Sequence, residues 1–350
     1  MSPLATRLTE RLRIEAPVLQ AGMALVARPP LVAAVSAAGG LGVLGAAASS
    51  PEVLAREIAE VRALTDRPFG VDLVFPPELV DVAPGLRAQV ERELADRPDG
   101  DTLLAEIAAV LEPGRVDALV DVCCREGITA VVAALGSPAR FVERMHAAGI
   151  CVLALCGTPA QAARLERDGV DAVIASGAEA GGHTGPIGSL PLWRSCVTEV
   201  GVPVVAAGGV VDGPTLASAL VLGCEAAWVG TRFLATPEAA LHERARASVL
   251  AMGVTDTVVT RAFSGKTMRV LANAAVAAFE EAGGQHRGFP LQLLEGDGAS
   301  ERGLRLGDIE RGAVPVGQGG GLVHDVRPAG EVVAELVHDA EAALARRLPG

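Results

Sequence analysis

The chain repeats one local pattern: a glycine, a short apolar run rich in valine and alanine, a turn, and an amphipathic stretch of helical period. The apolar runs are continuous rather than alternating, as expected for strands buried on both faces of a parallel sheet. Eight such strand–helix units in succession predict a (β/α)8 TIM barrel. The predicted strands are residues 17–21, 42–45, 69–73, 129–134, 150–155, 172–175, 202–206 and 226–229.

Three predicted helices start at a hydroxyl residue followed by proline. The hydroxyl caps the helix, and the missing N–H of proline costs nothing in the first turn. The first of these helices is predicted over residues 51–65, where Leu54, Ile58 and Val61 form one stripe that can pack on the sheet. The three starts are Ser50-Pro51, Ser137-Pro138 and Thr158-Pro159.

Two segments lie outside the repeat. We divide the chain into a barrel over residues 1–254, with an insertion at about 76–113 after the third strand, and a C-terminal extension over residues 255–350. We expect the insertion and the extension to form a lid or small subdomain. Within the extension we predict a helix near residues 270–282, a glycine-rich stretch at 317–321 and a final helix over 329–347.

Composition excludes several classes of function. No apolar run approaches the roughly 20 residues of a membrane span, and the N-terminus lacks a secretory signal. The net charge is -12, without a basic and aromatic cluster that would bind nucleic acid. The six cysteines lack zinc-ligand spacing and are expected to be buried thiols, with no metal site. We therefore expect a soluble cytoplasmic protein, and a homodimer stays open.

Glycine spacing singles out one loop. The glycines before the last five strands, Gly127, Gly149, Gly169, Gly201 and Gly223, are separated by 22, 20, 32 and 22 residues. The long interval places its extra residues in the loop at 177–188, after the sixth strand. Barrel enzymes keep their active sites on this face, so we look for the chemistry there.

A phosphate site is predicted at the ends of the last two strands. Gly208 and Gly209 follow the seventh strand, and Gly230 and Thr231 follow 21 residues later, after the eighth. Glycine lets backbone N–H groups approach a phosphate closely. This pattern serves FMN, IMP and sugar phosphates alike. An IMP dehydrogenase would need a cysteine in the loop after strand six, whereas the nearest one, Cys196, lies beyond that loop.

His183 is the candidate catalytic residue. It lies in the long loop between Gly182 and Gly185, and an imidazole exchanges a proton near neutral pH. The remaining histidines occur in helical or irregular contexts and are expected mostly at the surface.

Five segments in order resemble the nitronate monooxygenases, also called 2-nitropropane dioxygenases. The match spans roughly residues 14–275 and shares its motifs with the FMN-dependent type II enoyl-ACP reductases. The segments are residues 17–23 (PVLQAGM), 69–72 (FGVD), 179–183 (EAGGH), 206–209 (AAGG) and 229–233 (VGTRF).

The resemblance implies bound FMN and a set of residues that hold it. Asp72 stands where relatives often have Asn, Ser176 where many have Gln or Glu, and Trp228 where many have Gln. The chain has no tyrosine, so the tyrosine contacts of known members do not carry over. The implied cofactor-binding residues are Gly22, Met23, Asp72, Ser176, Gly181, Gly182, Gly208, Gly209, Trp228, Val229, Gly230 and Thr231.

The resemblance also implies a reaction. An alkyl nitronate, or a nitroalkane that first loses a proton, would react with O2, without nicotinamide, to give a carbonyl compound and nitrite, with His183 as the proton-transfer base. Two alternatives stay open: an NADH-dependent enoyl-ACP reductase and a flavin-binding module without turnover. We expect residues 263–266 to close the substrate side of the flavin, and we interpret Lys266, the single lysine, as a solvated charge.

Overall fold

The computed structural model describes residues 4–82, 85–95, 111–296 and 298–346. Its largest sheet has eight parallel strands in the order β1-β9-β8-β6-β5-β4-β3-β2. A parallel bridge between Leu19 and Leu41 links β1 to β2 and brings the two edges together. Helices surround the sheet, and the predicted (β/α)8 barrel is confirmed. The strands are β1 (Val18–Gln20), β2 (Gly42–Gly45), β3 (Phe69–Val74), β4 (Ala130–Ala134), β5 (Cys151–Cys156), β6 (Ala172–Ser176), β8 (Val204–Ala207) and β9 (Ala226–Val229).

All eight strands lie within two residues of their predicted bounds. The start of β8 differs most: the prediction began at residue 202, whereas the ladder begins at Val204, which pairs with Val173 of β6. Pro203 has no N–H to donate, which explains why regular pairing starts only after it.

The helices of the described residues were predicted best where a side chain caps them. Ser50 accepts a hydrogen bond from the Val53 amide, and Thr158 accepts one from the Gln161 amide. Before β9 they are α1 (Arg7–Leu12), α2 (Pro29–Ala37), α3 (Pro51–Leu64), α4 (Pro77–Val80), α5 (Leu86–Leu94), α6 (Arg115–Glu126), α7 (Ala139–Ala147), α8 (Pro159–Arg167), α9 (Ser189–Glu199) and α10 (Gly213–Val221). After it follow α11 (Thr231–Leu234), α12 (Glu243–Ala251), α13 (Ala274–Glu281), α14 (Gln292–Gly296), α15 (Ala299–Leu304) and α16 (Ala329–Ala345).

Helix α7 starts one residue later than its motif predicted. Pro138, and not Ser137 as expected from Ser137-Pro138, occupies the N-cap position. The Ser137 hydroxyl donates to Asp168 and accepts from the Ala139 amide at 3.2 Å. None of the described helices is long and apolar enough to cross a membrane.

The final helix, α16, completes the helical layer of the barrel. It packs between α10 and α2, although the chain crosses the carboxyl face of the barrel before reaching it. A side chain at Gly213 of α10 would overlap Asp339 and Ala340 of α16, so the two helices approach closely. The helix at the end of the extension thus belongs to the barrel layer, and the division at residue 254 stays a prediction.

Apolar side chains fill the barrel on both sides of the sheet. In β9, Ala226 and Trp228 face the barrel interior, while Ala227 and Val229 pack among the helix-facing residues. This alternation of buried faces accounts for the continuous apolar runs seen in the sequence.

The insertion and the extension share an apolar cluster outside the barrel. Leu79 and Leu94 of the insertion pack with Leu294 of the extension, and Arg287 pairs with Glu93. Residues 96–110 of the predicted insertion lie outside the described residues. The two added segments therefore meet on one side of the molecule.

A second, three-stranded sheet crosses the carboxyl face. It consists of β7 (Gly182–His183), β10 (Thr257–Thr260) and β11 (Met268–Leu271) in the antiparallel order β10-β11-β7. The prediction of a helix near residues 270–282 is therefore wrong at the start of the helix. Residues 270 and 271 are held extended by pairing with β10, and the helix starts only after Asn273, whose side chain accepts from the Val276 amide at 3.0 Å.

Candidate active site

A cavity of about 660 Å3 opens at the carboxyl ends of the barrel strands. This volume lies in the range of small-molecule and cofactor sites. Twelve of the thirteen predicted site residues border it, and Val229 does not, because its side chain faces the helices. The twelve are Gly22, Met23, Asp72, Ser176, Gly181, Gly182, His183, Gly208, Gly209, Trp228, Gly230 and Thr231.

One end of the cavity, called the phosphate end after the ligand predicted there, is lined by main chain rather than by side chains. Gly208 and Gly209 follow β8 with φ of +97° and +82°, a backbone conformation that side chains disfavour. A Cβ on Gly209 would meet nothing within 4 Å. Because Gly209 borders the cavity, that open space is where a ligand can approach its backbone.

The extension closes this end of the cavity. The Gly317 amide donates to the Thr231 hydroxyl at 2.9 Å, and Gly317 and Gly319 both border the cavity. A Cβ on Gly181 would lie 2.6 Å from the Gly317 nitrogen, so glycine is required there. The glycine-rich stretch at 317–321 was predicted from the sequence, but not as part of the site. Its signal was the composition alone, which does not tell where the stretch packs.

The middle of the cavity has mostly apolar walls. Trp228 rises from the barrel interior, and Met23 and Leu155 border the cavity beside it. Ser176 ends β6 and is buried. An apolar slot of this kind suits a flat aromatic ring.

Asp72 is an acidic residue in this mostly apolar wall. Its carboxyl packs so closely on Gly22 that a Cβ there would overlap it. The side chain is only 8% exposed, and its Oδ1 atom has no hydrogen-bond partner among the described residues. Burial raises the pKa of Asp72 well above its usual range. Because Asp72 borders the cavity, its unpartnered oxygen is available to a ligand there.

At the other end, the base end, the extension holds His183. β7 pairs with β11 so that His183 lies opposite Met268, and His183 Nε2 lies 2.9 Å from the Ser264 hydroxyl. Burial, and secondly the charge of Lys266, lowers the pKa of His183 to about 4. The imidazole is therefore neutral near pH 7 and able to accept a proton.

Further bonds anchor the loop that carries His183. Glu179 accepts from both the amide and the hydroxyl of Ser189, at 2.8 and 2.7 Å, at the start of α9. Arg269 of β11 donates to the Ala178 carbonyl at 2.8 Å. The loop is thus fixed to the barrel on one side and to the extension on the other.

Lys266 is not the solvated charge expected from the sequence. Its side chain is 28% exposed and borders the cavity, with Nζ 3.7 Å from Glu78 Oε1 and 4.8 Å from the centre of the Phe289 ring. The insertion and the extension hold it there together, through Glu78 and Phe289. The environment of Lys266 is formed by two segments that are far apart in sequence. The residues next to Lys266 in the sequence therefore do not predict it.

Three polar residues at the outer part of the cavity were missed. Ser137, Gln161 and Arg164 follow β4 and β5 and border the cavity. Each lies on an ordinary helix start or helix face, so no motif marks it. Cys196, considered above for another enzyme class, lies in α9 and does not border the cavity. In the part of the chain that the structure describes, no three His, Cys, Asp or Glu side chains cluster as metal ligands do.

Comparison with known proteins agrees with this geometry. The family model of the nitronate monooxygenases matches residues 5–339. The chain belongs to the nitronate monooxygenase family. Like its relatives, it is a flavin-dependent oxidoreductase that acts on small molecules.

The most similar proteins of the family differ in their named activities. The chain is 36% identical over 283 residues to the (3aS,4S,5R,7aS)-5-hydroxy-7a-methyl-1-oxo-octahydro-1H-indene-4-carboxyl-CoA dehydrogenase of Rhodococcus jostii (strain RHA1), covering 81% of this chain and 70% of that one. Among solved structures, FabK from Thermotoga maritima is 33% identical with a TM-score of 0.81, covering 96% of each chain. Nitroalkane oxidase from Streptomyces ansochromogenes is 30% identical with a TM-score of 0.81, covering 97% of this chain and 99% of the other.

Proposed function

We propose that this protein uses FMN to oxidise alkyl nitronates with O2 to a carbonyl compound and nitrite, and that it also oxidises nitroalkanes, whose proton His183 removes as the base. One observation carries the proposal: a neutral imidazole at the cavity, hydrogen-bonded to Ser264 at 2.9 Å, beside a wall suited to a flavin ring. The nitroalkane oxidase named above supports the same substrate class.

The residues of the cavity fit FMN. Gly208, Gly209 and Gly230, with Gly317 and Gly319 of the extension, would hold its phosphate through main-chain groups. Met23, Trp228 and Asp72 would hold its ring. When bound, FMN supplies the redox chemistry, taking electrons from the substrate and passing them to O2.

His183 would accept the proton of a nitroalkane. A neutral nitroalkane must lose one before it can be oxidised, whereas a nitronate has already lost it. If Nε2–H donates to Ser264, Nδ1 keeps the lone pair that accepts the substrate proton. With a pKa of about 4, the imidazole stays in the base form over the whole neutral range. The nearby charge of Lys266 would favour an anionic substrate over its neutral conjugate acid.

A second candidate is redox chemistry on an acyl thioester. Arg164 at the outer part of the cavity is largely exposed and suits an anionic carrier such as CoA. The Rhodococcus relative is named as the dehydrogenase of a carboxyl-CoA compound, which favours the same class. The NADH-dependent enoyl reduction raised by the sequence motifs is a variant of this candidate.

Anaerobic mixing separates these functions. The FMN-loaded protein is mixed in separate samples with ethyl nitronate, with NADH and with a saturated acyl-CoA, and the flavin absorbance is followed. We expect ethyl nitronate to bleach the flavin. Bleaching by NADH alone would instead assign a reductase, bleaching by the acyl-CoA alone a dehydrogenase, and no bleaching by any reagent a binding module without turnover.

A further inference from the structure

The Asp72 carboxyl borders the cavity, and the proposed reaction assigns it no proton transfer. It lies on β3 between β2 and β4, whose residues 42–45 and 130–134 include no ionisable side chain. It is 8% exposed, and Oδ1 has no partner among the described residues. A carboxyl buried in this way is costly as an anion unless a cation or several donors face it.

In the described part of the chain, no cation contributes to the pKa of Asp72. The other ionisable side chains that border the cavity are Cys156, Arg164, His183 and Lys266, and the rise in the pKa of Asp72 comes from burial alone. Arg28, in the loop after β1, is paired with Glu57 at 2.7 Å. Burial therefore shifts the balance of Asp72 towards its protonated form.

Protonation changes what the side chain can bind. A carboxylate only accepts hydrogen bonds, whereas a carboxylic acid offers one donor and one acceptor, the same pair that an asparagine amide presents. The edge of the flavin ring alternates carbonyl acceptors with an N–H donor, so an amide or a neutral acid matches it and a carboxylate matches it only in part.

We propose that Asp72 binds the flavin ring as a neutral carboxylic acid, in the place of an amide, and that ionisation of this carboxyl weakens FMN binding. The inference rests on the FMN part of the proposed function and not on the choice of substrate. A ligand that needs the protonated form binds more weakly as pH rises, by up to about tenfold per pH unit above the pKa of the free protein.

The test is the pH dependence of FMN affinity. The full-length chain is freed of flavin and titrated with FMN between about pH 7 and 9.5, where the FMN phosphate stays dianionic because its second pKa is about 6. Flavin fluorescence reports binding without any turnover. We expect the wild-type Kd to rise with pH and the Kd of Asp72→Asn to stay within about twofold across the range.

Control variants test whether the pH dependence of FMN affinity comes from the Asp72 carboxyl. Cys156→Ser removes another ionisable group of the cavity and should keep the wild-type slope. Parallel profiles for wild type and Asp72→Asn, or a wild-type affinity that is flat or increases with pH, would overturn the proposal. The wild-type profile decides this even where the Asn variant does not fold. Absence of FMN binding at every pH would overturn the proposed cofactor as well, which distinguishes the two failures.

The flavin midpoint potential provides a second readout. A carboxylate at the ring edge opposes the negative charge of reduced flavin, and a neutral acid or an amide does not. The potential of the wild type should therefore match that of Asp72→Asn near pH 7 and fall below it as pH rises. A wild-type potential that lies below that of the variant by the same amount at every pH would show a carboxyl that is already ionised, contrary to the proposal.

Discussion

The two ends of the cavity are built in different ways. At the phosphate end, Gly208, Gly209 and Gly230 follow strands β8 and β9 directly, and the main chain itself forms the surface. At the base end, His183 depends on side chains and strands of the extension, through Ser264 and the pairing with β11. Local backbone geometry therefore defines the first end, and contacts between distant segments define the second.

This difference predicts different responses to substitution. At the phosphate end, added bulk should act on cofactor affinity, because a side chain fills the space that the ligand needs. At the base end, loss of a hydrogen bond or charge should act on proton transfer and leave cofactor affinity unchanged.

The largest effect on cofactor affinity is expected from Gly209→Ala. The added Cβ enters the open space at the phosphate end of the cavity, where the ligand would lie. Overfilling a packed site costs roughly 1–3 kcal/mol. We therefore expect FMN affinity, measured by fluorescence titration, to fall roughly 10- to 100-fold. Alanine is preferred to valine because φ is +82°, where a branched side chain adds backbone strain and would itself disturb the fold.

Gly149→Ala is the matched control for backbone strain. Gly149 has φ of +76°, is exposed, and offers equally open space to a Cβ, but lies away from the cavity. Both variants should lose similar stability, of the order of 1–2 kcal/mol. Equal losses of FMN affinity in the two variants would mean that Gly209 acts through the fold and not through the phosphate.

A smaller effect is expected from Ser264→Ala. The substitution removes the hydrogen bond to His183, and such a bond contributes roughly 0.5–1.5 kcal/mol net. We expect kcat/KM for a neutral nitroalkane to fall about 2- to 10-fold at constant FMN affinity. Ser300→Ala, at a serine that lines the cavity without a hydrogen bond to His183, should leave kcat/KM unchanged. A loss of FMN instead of rate would place Ser264 in cofactor binding.

The smallest effect is a shift in pH dependence. The positive charge of Lys266 disfavours protonated His183, so Lys266→Met should raise the pKa of His183 from about 4 towards its ordinary 6.5, without reaching it, because burial is the larger cause. The acid limb of kcat/KM for a nitroalkane should move to higher pH in Lys266→Met and stay in place in Lys266→Arg. An unmoved limb in both would show that another group titrates.

The barrel was predictable because its signals are local. Each strand is a continuous apolar run, and capping residues such as Ser50 and Thr158 mark helix starts without reference to the rest of the chain. The second sheet was not predictable in this way. β7 has only two residues, and its partner β11 follows 85 positions later, so residues 270 and 271 were assigned to a helix.

The candidate site shows the same division. Gly208, Gly209 and His183 stand out through spacing and glycine context, and the structure brings them to one cavity. Gly317 and Gly319 reach it only through the path of the extension, and Arg164 only through the face of α8 that it occupies. The state of Asp72 depends on its burial, a three-dimensional property that its place in a motif does not reveal.

The most direct test of the account compares two substrates in His183→Asn. Asparagine keeps hydrogen-bonding capacity and similar bulk, so FMN content should be preserved, and rates are compared at equal flavin occupancy. General-base catalysis contributes roughly 10²- to 10⁴-fold, and we expect nitroalkane oxidation to fall by about that factor, with nitronate oxidation falling far less. Equal losses on both substrates, or no loss on either, would contradict the assignment of His183 as the base.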